Sequence, residues 1–105
     1  MAKRVPFTLV VTQAAREDLD ALRAFEKRQI VEAVDANLLF EPAVVTRKRK
    51  NLGEPTAGFE YDRPLWELRV GEYRVFYSVS EADRTVTIRR VRRKPPEMRT
   101  QEVLQ

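Results

Sequence analysis

Cysteine and histidine are both absent from the 105 residues. Without cysteine there are no disulfides, and nothing points to an oxidising compartment. Without either residue the usual zinc ligands are gone, along with the commonest general acid–base group. No metal and no cofactor is therefore expected, and any chemistry falls to Lys, Arg, Glu, Asp, Tyr, Ser or Thr. Long apolar runs are missing too, so no stretch approaches a membrane span. Val5 to Val11, behind the basic Lys3-Arg4, is too short and interrupted for a signal sequence. The expectation is a cytoplasmic chain with no membrane segment. Repeats and low-complexity tracts are also lacking, and the length suits one domain over residues 1–105.

What is present is charge. Charged residues make up 34% and apolar residues 43%, the composition of a globular and not a disordered chain. The net charge of +4 is unevenly spread. Residues 1–45 hold six basic and seven acidic side chains, whereas residues 46–105 hold fourteen and nine. Such asymmetry points to a nucleic-acid surface or an acidic protein partner.

The fold class predicted by the pattern is α+β. Pro6 to Val11 reads as an N-terminal strand. Thr12 is a suitable helix N-cap. Ala15, Leu19, Leu22 and Phe25 then form one apolar helical stripe, and Ile30, Val34 and Leu38 form a second. A turn near Ala24–Lys27 would make a two-helix hairpin. No glycine or proline lies there, so one long kinked helix stays open as the alternative. Glu41-Pro42 ends the second helix. Ala43 to Arg63 reads as a long connection that opens on the basic run Arg47-Lys48-Arg49-Lys50.

Leu65 to Lys94 reads as a three-stranded antiparallel meander forming one sheet with the first strand, packed on the helices. Trp66, Leu68 and Val70 alternate with Glu67 and Arg69. Tyr73, Val75, Tyr77 and Val79 alternate with Arg74, Phe76 and Ser78. Gly71-Glu72 and 81–84 supply the turns, and Thr85 to Val91 is rich in β-branched residues. Pro95-Pro96 stops the last strand, and residues 95–105 form a tail or short helix. With helices on one face, the other face presents Arg69, Arg74 and part of the Arg89–Lys94 cluster. Guanidinium groups fixed on a sheet make a seat for a phosphate-bearing ligand.

The segment W-E-L-R-V-G-E-Y-R-V-F-Y at 66–77 resembles the core of the RelE/ParE superfamily, the small toxins of bacterial type II toxin–antitoxin systems. The basic run before it and Val86-x-Ile88-x-x-Val91-x-x-Lys94 after it are similar to that family's basic loop and last strand. The resemblance implies one of two activities. RelE-like members are metal-independent endoribonucleases that cut mRNA on the ribosome by attack of a 2′-hydroxyl, leaving a 2′,3′-cyclic phosphate. ParE-like members poison DNA gyrase. Both are held by a cognate antitoxin, here expected to be acidic, partly apolar and laid near Arg69, Arg74 and residues 89–94.

For the nuclease chemistry the resemblance puts Arg74 at the scissile phosphate and Lys94 at the basic end of the last strand. Glu67 is the candidate base, or else the ion-pair partner of the arginines. Lys94 or Lys50 is the candidate acid, with Lys94 expected to be crowded by neighbouring Arg92 and Arg93. Arg47, Arg49, Lys50, Arg69, Arg92 and Arg93 complete the expected phosphate-binding set. The chain departs from the family at Leu65 and Glu67, where some nucleases carry lysines, and near Arg99-Thr100, where several carry an aromatic residue or histidine; these departures leave a catalytically silent RelE-fold binding protein open as an alternative beside the gyrase inhibitor.

Overall fold

A computed structural model describes residues 5–105. Its elements are β1 (Thr8–Val11), α1 (Gln13–Asp20), α2 (Ala24–Leu38), β2 (Arg49–Gly53), β3 (Leu65–Val70), β4 (Tyr73–Ser80), β5 (Thr85–Arg93) and α3 (Thr100–Leu104). The strands form one sheet in the order β1-β5-β4-β3-β2. β1 runs parallel to β5 and the other neighbours are antiparallel. The α+β reading and the meander hold, with one strand more than expected.

The extra strand is β2, inside the segment read as a connection. Its sequence R-K-N-L-G has neither alternation nor β-branched residues, so no local signal marks it. It is a strand because β3 offers its backbone: Arg49 pairs with Leu68 and Lys50 with Glu67. Partner hydrogen bonds outweigh weak propensity here.

The helices form a hairpin, not one long helix. The break lies at residues 21–23, a turn earlier than expected, and Thr12 caps α1 by accepting the Ala15 N–H at 3.2 Å. Without a glycine or proline, the second helix starts on Arg23, whose N–H donates to the Glu26 carboxylate at 3.4 Å. An acidic residue three positions in was the legible signal. The shift ejects Phe25 from the apolar stripe, and it is 61% exposed.

Both helices pack on one face of the sheet. Ala15, Ile30 and Leu38 meet Trp66, Leu68, Val75, Tyr77, Val86, Ile88 and Val91 in the main core. The Tyr77 hydroxyl donates to the Pro42 carbonyl at 2.7 Å and thereby fixes the chain beyond α2. The opposite face is not bare. Leu65 and Phe76 are covered there by Val103 and Leu104 of α3, with Phe59, Tyr61 and Met98 around them. Gly58 permits this cover: its N–H donates to the Leu104 carbonyl at 2.7 Å, and a Cβ would lie 2.4 Å from the Gln105 carbonyl carbon. Among the described residues no helix is long and apolar enough to cross a membrane.

Candidate functional site

α3 covers only part of the outer face. Beside it lies a polar pocket of about 300 Å³, into which Arg47, Lys50, Glu67, Arg69, Arg74 and Lys94 all come. The strand register explains the convergence. Arg69 lies opposite Arg74, Lys50 opposite Glu67, and Arg92 opposite Arg74 from the other side. Cross-strand neighbours sit about 5 Å apart, so residues distant in the chain become one cluster.

Lys94 reaches this face because β5 carries a bulge. Arg90 pairs with Phe76 and Ile88 with Tyr77, which leaves Arg89 as an extra residue. In unbroken alternation, Arg89 and Lys94 would stand on opposite faces. The bulge is held from α1. Asp18 accepts the Arg90 Nε at 2.7 Å, the Arg90 Nη2 at 2.9 Å and the Val91 N–H at 2.9 Å. The Thr12 hydroxyl donates to the Arg89 carbonyl at 3.0 Å.

At the floor of the pocket Arg74 and Glu67 form a buried pair, Nε to Oε1 3.9 Å, with the residues 8% and 7% exposed. Arg74 Nη1 also donates to the Gly71 and Tyr73 carbonyls, each at 2.9 Å. The turn that supplies these carbonyls needs Gly71, whose φ is +57°. Glu67 Oε2 is buried and has no hydrogen-bond partner. Burial raises the Glu67 carboxyl above the usual range, and Arg74, Lys50, Lys94 and Arg69 only partly offset this. Burial, helped by Arg69, lowers Arg74 against the pull of Glu67. Arginine stays charged all the same. Lys50, Arg69 and Lys94 make no ion pair among the described residues. This arrangement can hold a phosphate among cations without ion-pair partners, over a carboxylate whose proton affinity burial raises.

Three expected phosphate ligands have their guanidinium groups engaged elsewhere, although Arg49 still lines the pocket. Arg49 pairs with Leu68 and so turns to the helix side, where its Nη1 donates to the Asn37 carbonyl at 2.5 Å. Arg92 is on the outer face but donates to the Val103 and Gln105 carbonyls at 2.5 and 2.7 Å and lies 5.1 Å over the Phe59 ring. Arg93 turns back toward the helix side and pairs with Glu72 at 2.9 Å. The crowding of Lys94 by Arg92 and Arg93 is therefore replaced by the company of Arg69 and Arg74. Lys48, from the basic run, lines the pocket as well, and so do Thr46 and Thr100, which carried no signal in the sequence, since only folding brings the loop and α3 to the sheet. Phe76 shares the Arg74 face but is fully buried under α3. Among the described residues no three of His, Cys, Asp or Glu converge to hold a metal ion.

Comparison with known proteins places this geometry. The family model for the ParE toxin of the type II toxin–antitoxin system, parDE, matches residues 9–94. The chain is similar to a protein in the crystal structure of the RelBE2 toxin–antitoxin complex of Mycobacterium tuberculosis. Identity there is 32% and the TM-score 0.68, over 86% of this chain and 100% of the other. It shares its fold with a protein of the archaeal RelE–RelB complex of Pyrococcus horikoshii, at 22% identity and a TM-score of 0.67, over 86% and 97% of the two chains. No functionally curated protein matches significantly.

Proposed function

The chain belongs to the ParE toxin family within the RelE/ParE superfamily of type II toxins, and from that premise we propose that it is a metal-independent, ribosome-dependent mRNA endonuclease. One observation carries the reading. A buried carboxylate with an unpartnered oxygen, Glu67 Oε2, lies in a pocket ringed by Lys50, Arg69, Arg74 and Lys94.

Cleavage by 2′-hydroxyl attack asks for three things. Glu67, its proton affinity raised by burial, takes the 2′ proton as the ribose oxygen attacks phosphorus. Arg74 and Arg69 stabilise the extra negative charge of the phosphorane, and one such fixed cation contributes on the order of 10²–10³ in rate. Lys94 or Lys50 gives a proton to the departing 5′ oxygen. The products are a 2′,3′-cyclic phosphate and a free 5′ hydroxyl, with atoms and charge balanced.

The test is inducible expression followed by mapping of mRNA 5′ ends, with Arg74→Ala and Glu67→Gln alongside. New ends in the wild type, lost in both variants, are expected. Growth arrest with intact mRNA overturns the reading.

A second reading, inhibition of DNA gyrase, has its own support. The matching family model is that of ParE, and Arg74 is held by two backbone carbonyls as a strut would be. Loss of supercoiling activity in purified gyrase, with mRNA uncut, selects it.

Under either reading the partner is a cognate antitoxin, since the two similar structures described above are toxin–antitoxin complexes. Its segment over the pocket is acidic, to meet Arg47, Lys48, Lys50, Arg69 and Lys94. Co-purification with the product of the neighbouring reading frame at physiological salt tests this, and no complex counts against it.

A further inference from the structure

A second cleft opens on the outer face, across α3 from the cationic pocket. Its volume is about 550 Å³, and the loop 54–63 and Arg89 line it. Its chemistry is the reverse of the first pocket. Glu54, Glu60 and Asp62 bring three carboxylates against Arg63 and Arg89, so the cleft has no excess of cations to seat a phosphate and its polar groups are left to meet a base. Phe59 and Tyr61 supply aromatic walls, set edge to face with centroids 6.3 Å apart.

The polar centre of the cleft is the Arg89–Asp62 pair, Nη2 to Oδ2 2.9 Å. The Asp62 backbone is anchored beneath it. Its N–H donates to the Ser78 hydroxyl and its carbonyl accepts from the same hydroxyl, both at 3.0 Å. The pair is positioned but not saturated: Arg89 Nε is buried with no hydrogen-bond partner, and the Asp62 side chain is 81% exposed.

From this geometry we infer that the cleft is a nucleobase subsite selective for guanine, holding a base of the same RNA strand whose phosphate lies at Arg74. The proposal rests on the RNA reading above. Guanine alone among the four bases offers two adjacent donors, N1–H and N2–H, beside an acceptor, O6. A carboxylate takes the donors and a guanidinium meets the acceptor. Asp62 and Arg89 present that complement side by side, with the Tyr61 ring on the cleft wall to pack against the base. Adenine and cytosine offer a carboxylate one amino group, and uracil one ring N–H flanked by carbonyls that it repels. Arg89, in β5, and Lys94, one residue past its end, stand on one face about 15 Å apart, so one RNA chain has the reach to occupy both sites.

The experiment titrates isotope-labelled protein with GMP, AMP, CMP and UMP, and with inorganic phosphate alone, following backbone amides by NMR. GMP is expected to shift amides of the 59–62 loop and Arg89, with affinity about tenfold or more above AMP. Asp62→Asn, which keeps the backbone anchor, is expected to remove that preference. Equal response to all four nucleotides, GMP shifts confined to Lys50, Arg69 and Lys94, or selectivity unchanged in Asp62→Asn each overturns the proposal. So does a lysine-rich peptide that occupies the cleft while GMP does not, which assigns it to a basic protein partner. No ribosome or cleavage enters the measurement. Guanine selectivity with no new mRNA ends supports the subsite and faults the nuclease reading, and the converse faults the subsite alone.

Discussion

At the scale of single residues, Glu67 is the side chain on which most depends. Its ordinary value is 4.5 and burial raises it. In the window above 4.5 the unfolded chain has released this proton and the folded chain still holds it. Stability from this group is therefore full below pH 4.5 and is lost as pH rises through the raised value. Glu67→Gln has no such proton. Wild-type unfolding free energy, relative to Glu67→Gln, is expected to fall as pH rises from 4.5 through the raised value. Urea unfolding across that range measures it, and a pH-independent difference counts against the assignment. Arg74→Ala leaves the Glu67 carboxylate buried without its cation. The expected cost is about 3 kcal/mol, read as a lower urea midpoint at neutral pH. If the cost is nearer 0.5 kcal/mol, the 3.9 Å pair is not what keeps Glu67 in place.

At the scale of elements, the bulge in β5 decides which cations share a face. Asp18 holds it with three hydrogen bonds, two of them to a guanidinium. Asp18→Ala is expected to cost about 2 kcal/mol and to lower pocket function more than that loss of stability accounts for, because Lys94 loses its setting. Asp18→Asn keeps one acceptor and is expected to fall between. Activity measured well below the melting temperature, beside NMR shifts of Lys94, separates the effects. The short α3 depends on burial and not on helix propensity, being five residues long. Leu104→Ala opens the second core and is expected to cost 2–4 kcal/mol. Gly58→Ala, which drives a methyl into the Gln105 backbone, is expected to loosen α3 and speed amide exchange there, while main-core amides stay protected.

At the scale of the whole molecule, the excess of basic residues after residue 45 is less available than a count suggests. Arg63, Arg74, Arg89, Arg90 and Arg93 are all ion-paired. What remains free around the pocket is Lys50, Arg69 and Lys94, with Arg47 and Lys48 at its rim. For about three phosphates contacted, the logarithm of affinity for single-stranded RNA should fall with the logarithm of salt at a slope of about −2. A titration from 50 to 300 mM salt measures this. A slope beyond about −5 would mean that the paired arginines open to bind RNA.

The sequence by itself determined the two apolar helical stripes, the meander and the face on which Arg69 and Arg74 stand. These follow from alternation and helical spacing, which are local properties of the chain. It did not determine β2, since Arg49-Lys50-Asn51 becomes a strand only by borrowing the edge of β3. Nor did it determine which members of 89–94 join the site, because one extra residue, clamped by Asp18 from a helix seventy residues earlier, resets the alternation. The same holds for Arg92, which is engaged by the carbonyls of α3, and for Glu67, whose raised proton affinity comes from burial that no neighbour in sequence supplies. Periodicity tells which way a side chain points along a regular element. Where a bulge, an edge or a cover intervenes, only the packed structure decides what that side chain meets.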